Sequence, residues 1–272
     1  MDDFTSVGPR CYNRTMNCFI IAPTLKCGST LLEWMLNQHP VISANPIRES
    51  YGIGEMLDVM DWLPENQHLV ESPKIVRSGF VDATRKWYES IVNPDGLDFS
   101  GARFTGFTSC RFLRWMFPDD PMLVIVRDPV DTWLSYKRWN AMHGARGRGI
   151  PSVSAWFSGT YAKLDRSLSG VDRALVLYFE DLIKDHQRVI NACCDHLGIG
   201  RFSVDLAGNR SVYDNMTAFP GDSHAGDGLV VGTLDRTRHA DPSEAIEIAE
   251  IRRLIRIAAT GGGTLARYQE ND

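Results

Sequence analysis

The sequence has no apolar run approaching the roughly 18 residues needed to cross a bilayer, no C-x-x-C pair and no H-E-x-x-H. The first absence leaves no membrane span, and the other two remove the commonest zinc signatures. No metal is expected. Six cysteines without a secretion signal read as free thiols rather than a disulfide framework; His186 and His196 flank Cys193 and Cys194, but on a helical pattern that makes them surface histidines beside core thiols. Neither sign of charge is in large excess, and a formal net charge of −5 excludes a global attraction to nucleic acid or to an anionic membrane. Met1 to Asn17 is polar, with Asp2 and Asp3 where a signal peptide would be positive. A cytoplasmic protein with a flexible segment over 1–17 is therefore expected. Repeats and low-complexity tracts are also missing, and 272 residues at 43% hydrophobic content suffice for one full core, so a single domain over 1–272 is expected.

What is present begins with "FIIAPTLKCGSTLLEWMLNQHP", Phe19 to Pro40. Cys18 to Ala22 suits a strand buried on both faces, and Leu32, Met35, Leu36 and His39 then recur at helical spacing until His39-Pro40. A turn between strand and helix aims unpaired N–H groups and the positive end of the helix dipole at one point, which suits phosphate or sulfate. The spacing is not that of an ATP or GTP loop, G-x-x-x-x-G-K-[ST]: Pro23 stands at the first glycine, and Lys26 precedes Gly28 instead of following it.

The pattern repeats along the chain. "MLVIV", Met122 to Val126, leads through "RDPV" into a helical segment, Asp131 to Asn140, with Pro129 near its start, where a missing N–H is harmless. "ALVLYF", Ala174 to Phe179, is a third strand, and Val189, Ile190, Cys193, Cys194 and Leu197 stripe a helix closed by Gly198. Arg138 to Pro151 and roughly Gly200 to Pro242 read as loops, before a last helix near Ser243 to Ala259. Alternating strands and helices predict an α/β fold of the three-layer, P-loop NTPase-like kind, with a central, mainly parallel sheet and ligands at the carboxyl ends of its strands.

Together these segments resemble the sulfotransferases that use 3′-phosphoadenosine 5′-phosphosulfate (PAPS). "KCGSTLLEWMLNQHPVI" is similar to that family's 5′-phosphosulfate loop, and "VRDPVDTWLSYKRW", with Ser135 eight positions after Arg127, to its 3′-phosphate motif. "LVLYFEDLIKD" followed by "HLGI" resembles a third, structural segment. The resemblance implies PAPS as donor, its 3′,5′-bisphosphate (PAP) as product and a hydroxyl acceptor: carbohydrate, tyrosyl or small natural product. Lys26, Cys27, Gly28, Ser29, Thr30, Arg127 and Ser135 are the implied nucleotide-binding residues. Lys26 is a compact cation able to meet the oxygen bridging phosphate and sulfate, Gly28 lets backbone approach, Ser29 and Thr30 add hydroxyl donors, and the Arg127 fork suits a phosphate.

Transfer to a hydroxyl also needs a base. Glu49, nine residues after Pro40, lies close to where the carbohydrate and protein-tyrosine branches carry a catalytic glutamate, which places the resemblance nearer to them than to the cytosolic small-molecule branch. Glu71 stands in "LVESPKIV" where many members have a lysine, with Lys74 nearby, and is the reserve base. Trp62, Trp87, Trp139 and Trp156 could serve as acceptor platforms or as packing. Three alternatives accompany this reading. Arg127 could be neutralised within the chain by Asp128 or Glu180. The protein could be a P-loop kinase, with Thr30 on Mg²⁺ and the run before Asp128 as a Walker-B strand. It could also be a non-catalytic nucleotide-binding relative.

Overall fold

The structure, a computed structural model, describes residues 16–44, 79, 82–83, 85–86, 99–101, 103–105, 113, 117–143, 150–169, 171, 173–206, 242–260 and 262–269. Glu49, Glu71, Lys74, Trp62, Trp87 and most of the expected 200–242 loop lie outside the described residues.

Among the described residues seven short strands make the sheet: β1 (Met16–Asn17), β2 (Phe19–Ala22), β3 (Ile42–Ala44), β4 (Phe99–Gly101), β5 (Arg103–Thr105), β6 (Met122–Val126) and β7 (Ala174–Tyr178). All their pairings are parallel, in two ladders, β1-β4-β3 and β5-β2-β6-β7. Only Cys18 separates β1 from β2, and only position 102 separates β4 from β5. The two ladders thus run on from each other, and the combined strands lie in the order β3, β4/β5, β1/β2, β6, β7. From β2 the chain proceeds to the β3 side, and from β6 to the β7 side. A crevice therefore opens between the carboxyl ends of β2 and β6, where open α/β sheets bind ligands.

The reason these segments are strands is visible in their burial. Every residue of β2 and β6 is buried, as expected for central parallel strands covered on both faces. Helix α1 (Ser29–Leu36) follows β2, and α2 (Pro129–His143) follows β6. Beyond them lie α3 (Val153–Gly159), α4 (Leu164–Leu168), α5 (Phe179–Lys184), α6 (His186–Leu197) and α7 (Pro242–Ala258). This is a parallel sheet flanked by helices, the P-loop-like α/β arrangement. No helix among the described residues is long and apolar enough to cross a membrane.

Several boundaries differ from the sequence reading. Helix α1 ends at Leu36, three residues before His39. His39 is buried; its Nε2 bonds the Gly200 carbonyl at 3.0 Å and its Nδ1 accepts from Val41 N–H, joining the chain after α1 to the chain after α6. Ala141 to His143, beyond the expected helix end at Asn140 and within the expected Arg138–Pro151 loop, stay helical, because Asn140 turns back into the core and the first glycine comes only at Gly144. Gly198 closes α6 at φ 72°, with Ile199 N–H bonded to the Cys194 carbonyl at 3.0 Å, a Schellman-type end. Cys193 and Cys194 are buried thiols, while His196 is half-buried against the Arg173 carbonyl rather than a surface residue.

Candidate anion site between β2 and β6

The turn after β2 is left-handed twice, at Lys26 (φ 72°) and at Gly28 (φ 90°). For lysine this conformation costs about 1–2 kcal/mol, so the surroundings must hold it there. One tie is visible: the Lys26 carbonyl accepts from Arg127 Nη1 at 3.1 Å. Turns of this kind orient backbone N–H groups to one side. Gly28 then caps α1, its carbonyl accepting from Leu31 and Leu32 N–H, and no acidic residue occupies the first turn to oppose an incoming anion. Ser29 is buried and Thr30 half-buried in that turn.

Gly28 is required for a second reason. A Cβ there would lie 2.1 Å from Cδ2 of the Phe179 ring. The same ring carries the Arg127 guanidinium, 4.7 Å from its centroid. Phe179 opens α5 directly after β7, so the third sequence segment, read as structural, supplies the surface on which the other two meet. A motif of the form strand–Tyr–Phe–Glu–Asp does not announce such a contact.

Arg127 comes one residue after β6 and is half-buried. Its Nε is buried without a hydrogen-bond partner. The neutralising carboxylate considered from the sequence is absent: one Glu180 oxygen accepts Asp128 N–H at 2.8 Å, the other accepts the Tyr268 hydroxyl at 2.9 Å, and Asp128 accepts Val130 N–H at 2.8 Å. Arg127 thus keeps a half-buried cation facing a peptide carbonyl and an aromatic face, with its Nε donor unused. Asp128, enclosed and close to Asp131 and Glu180, is pushed up to about 6, burial being the largest cause.

Ser135 lies on α2 between two contacts that fix its direction. Thr132 is bonded to the Tyr161 hydroxyl at 2.9 Å, and the Trp139 ring lies 5.1 Å beneath Lys26 Nζ. Positions 132, 135 and 139 form one helical stripe, so Ser135 is on the face turned toward the Lys26 turn. Cys27, between Lys26 and Gly28, points the other way: it is wholly buried and its Sγ meets Tyr161 Oη at 3.4 Å. Trp156 is also core, packed 5.1 Å from Trp133 and 5.5 Å from Tyr161. Among the described residues no group of His, Cys, Asp and Glu is placed to hold a metal.

The model of the family described as "Sulfotransferase family" matches residues 19–203, more than half of the chain. The chain belongs to the sulfotransferase family. The match spans all three sequence segments and runs against the kinase alternative. No curated protein matches the chain. Among solved structures, this sulfotransferase-family chain is similar in fold to a sulfotransferase from Alicyclobacillus acidocaldarius, at 17% identity and a TM-score of 0.54 over 93% of this chain and 96% of that one. It is similar also to mouse sulfotransferase SULT7A1 complexed with PAP, at 13% identity and 0.54 over 95% and 90%.

Proposed function

We propose that the protein transfers a sulfuryl group from PAPS to a hydroxyl acceptor. The observation that carries this reading is Arg127: a half-buried guanidinium whose buried Nε has no partner, with no carboxylate on it among the described residues, tied to the carbonyl of the residue that resembles the family's catalytic lysine. A charge so placed, beside a helix N-terminus without acidic residues, is best accounted for by an anionic ligand that completes it. The complex of mouse SULT7A1 with PAP supports a 3′,5′-bisphosphate as that ligand's nucleotide part.

In this reading the 5′-phosphosulfate lies over the Lys26–Thr30 turn, and the 3′-phosphate between Arg127 and Ser135. The acceptor oxygen attacks sulfur in line; its proton passes to Glu49, and the bond from sulfur to the bridging oxygen breaks, leaving the bisphosphate. Lys26 Nζ stabilises charge growing on that bridging oxygen. The acceptor is a carbohydrate, tyrosyl or small natural-product hydroxyl. No step requires a metal.

Calorimetry without metal tests the donor assignment. Adenosine 3′,5′-bisphosphate should bind and ATP with Mg²⁺ should not, and Arg127→Ala should abolish the binding. Binding of ATP with Mg²⁺ in preference to the bisphosphate would overturn the proposal. For the base, Glu49→Gln should leave bisphosphate affinity intact and remove turnover; unchanged turnover moves the role to Glu71 or elsewhere.

A further inference from the structure

The two turns of the proposed site are joined behind it by one hydroxyl. Tyr161, in the 3₁₀ turn Tyr161–Lys163 after α3, is 1% exposed, and its Oη reaches three groups: the Arg127 carbonyl at 2.9 Å, Thr132 Oγ1 at 2.9 Å and Cys27 Sγ at 3.4 Å. A phenol has one proton and the Arg127 carbonyl can only accept, so the Tyr161 proton goes to Arg127. The Thr132 O–H and the Cys27 S–H then donate to the two lone pairs of the phenol oxygen. Burial raises the pKa of both Cys27 and Tyr161, keeping thiol and phenol protonated as this pattern requires.

We propose that Tyr161 is a positioning residue that fixes the distance between the Lys26–Gly28 turn and the Arg127 turn, and thereby selects ligands that carry anions at both the 5′ and the 3′ position. This rests on the nucleotide reading above. A bisphosphate must engage both turns at once, so its affinity gains from their being held at one spacing; a monophosphate engages one turn and gains nothing. A second tie between the turns, Arg127 Nη1 to the Lys26 carbonyl, is made by the very guanidinium assigned to the ligand, as is the packing of Arg127 on the Phe179 ring beside Gly28. Tyr161 holds the Arg127 backbone from the core side, whichever way the guanidinium is used.

The test is calorimetric titration of wild type, Tyr161→Phe and Cys27→Ala with adenosine 3′,5′-bisphosphate, 5′-monophosphate and 3′-monophosphate. Tyr161→Phe keeps the ring packed on Trp156 and Phe157 and removes only the hydroxyl. The expected result is a loss of about tenfold in bisphosphate affinity, with both monophosphates within twofold of wild type. Cys27→Ala, which breaks the bond on the Lys26 side alone, should shift the ratio the same way, and answers the question if Tyr161→Phe does not fold. An unchanged ratio of bisphosphate to monophosphate affinity in the folded variants overturns the role of Tyr161 while leaving the nucleotide site standing. A wild type that binds no bisphosphate overturns both.

Discussion

The Phe179 ring separates Gly28 from Arg127: its edge occupies the space of a Gly28 side chain, and the Arg127 guanidinium lies 4.7 Å from its centroid. One aromatic residue therefore packs against both the anion turn and the arginine. Gly28→Ala forces a Cβ into that ring at a left-handed backbone position, and should destabilise the protein by about 2–4 kcal/mol, overpacking and strain together. Urea unfolding measures it. Gly28→Ala combined with Phe179→Leu should recover part of the loss; no recovery would show that the ring contact is not its source.

Lys26 presents the converse case, a residue in the left-handed region without being glycine. Lys26→Gly removes that strain and also the cation held over Trp139, effects of opposite sign and about 1 kcal/mol each. Stability should stay within about 1 kcal/mol of wild type, while sulfuryl transfer falls by about a hundredfold or more. Paired unfolding and turnover measurements check this. A variant that loses stability in proportion to activity would mean that Lys26 serves the fold and not the reaction.

The two site turns were legible in the sequence because each is local. An apolar run, a turn residue and a capped helix fall within some twenty positions, and that is the range over which periodicity and helix-end signals act. Thus β2 with α1, β6 with α2 and the Gly198 end of α6 lie close to where the sequence places them. What joins the turns was not legible. Phe179 against Gly28, Tyr161 against Cys27 and Glu180 against Asp128 are contacts between residues far apart in the chain, made only once the parallel strands are ordered. The three-residue strands β3, β4 and β5 were also missed, since "ISA", "FSG" and "RFT" are too short and too polar to show a period.

Asp128 makes the stability of the protein depend on pH. Its carboxyl titrates near the ordinary 3.8 when unfolded and near 6 when folded, burial and then Asp131 being the main causes. Between those values the folded state binds more protons than the unfolded state, so stability falls as pH rises through the window and the loss is complete above about 6. Asp128→Asn keeps an acceptor for Val130 N–H and removes the titration. The variant should be more stable than wild type at pH 7 by about 1–3 kcal/mol, and the difference should vanish near pH 4. Urea midpoints at both pH values test this; a difference independent of pH would exclude Asp128 as its cause.

Ser135 is the one assigned 3′-phosphate ligand whose place depends on helix geometry rather than on a contact of its own. Thr132 and Trp139, on the same stripe of α2, both reach the Lys26–Gly28 turn or its support, which places Ser135 on that face of the helix. Ser135→Ala should lower the affinity for adenosine 3′,5′-bisphosphate and for the 3′-monophosphate by about tenfold each, leaving the 5′-monophosphate unchanged. That pattern differs from the one expected of Tyr161→Phe, which spares both monophosphates. The two proposed roles are thereby separable, contact with the 3′ anion for Ser135 and spacing of the two turns for Tyr161. Equal losses for the 5′- and 3′-monophosphates in Ser135→Ala would place the serine at neither end and leave Arg127 as the sole 3′ anchor among the assigned residues.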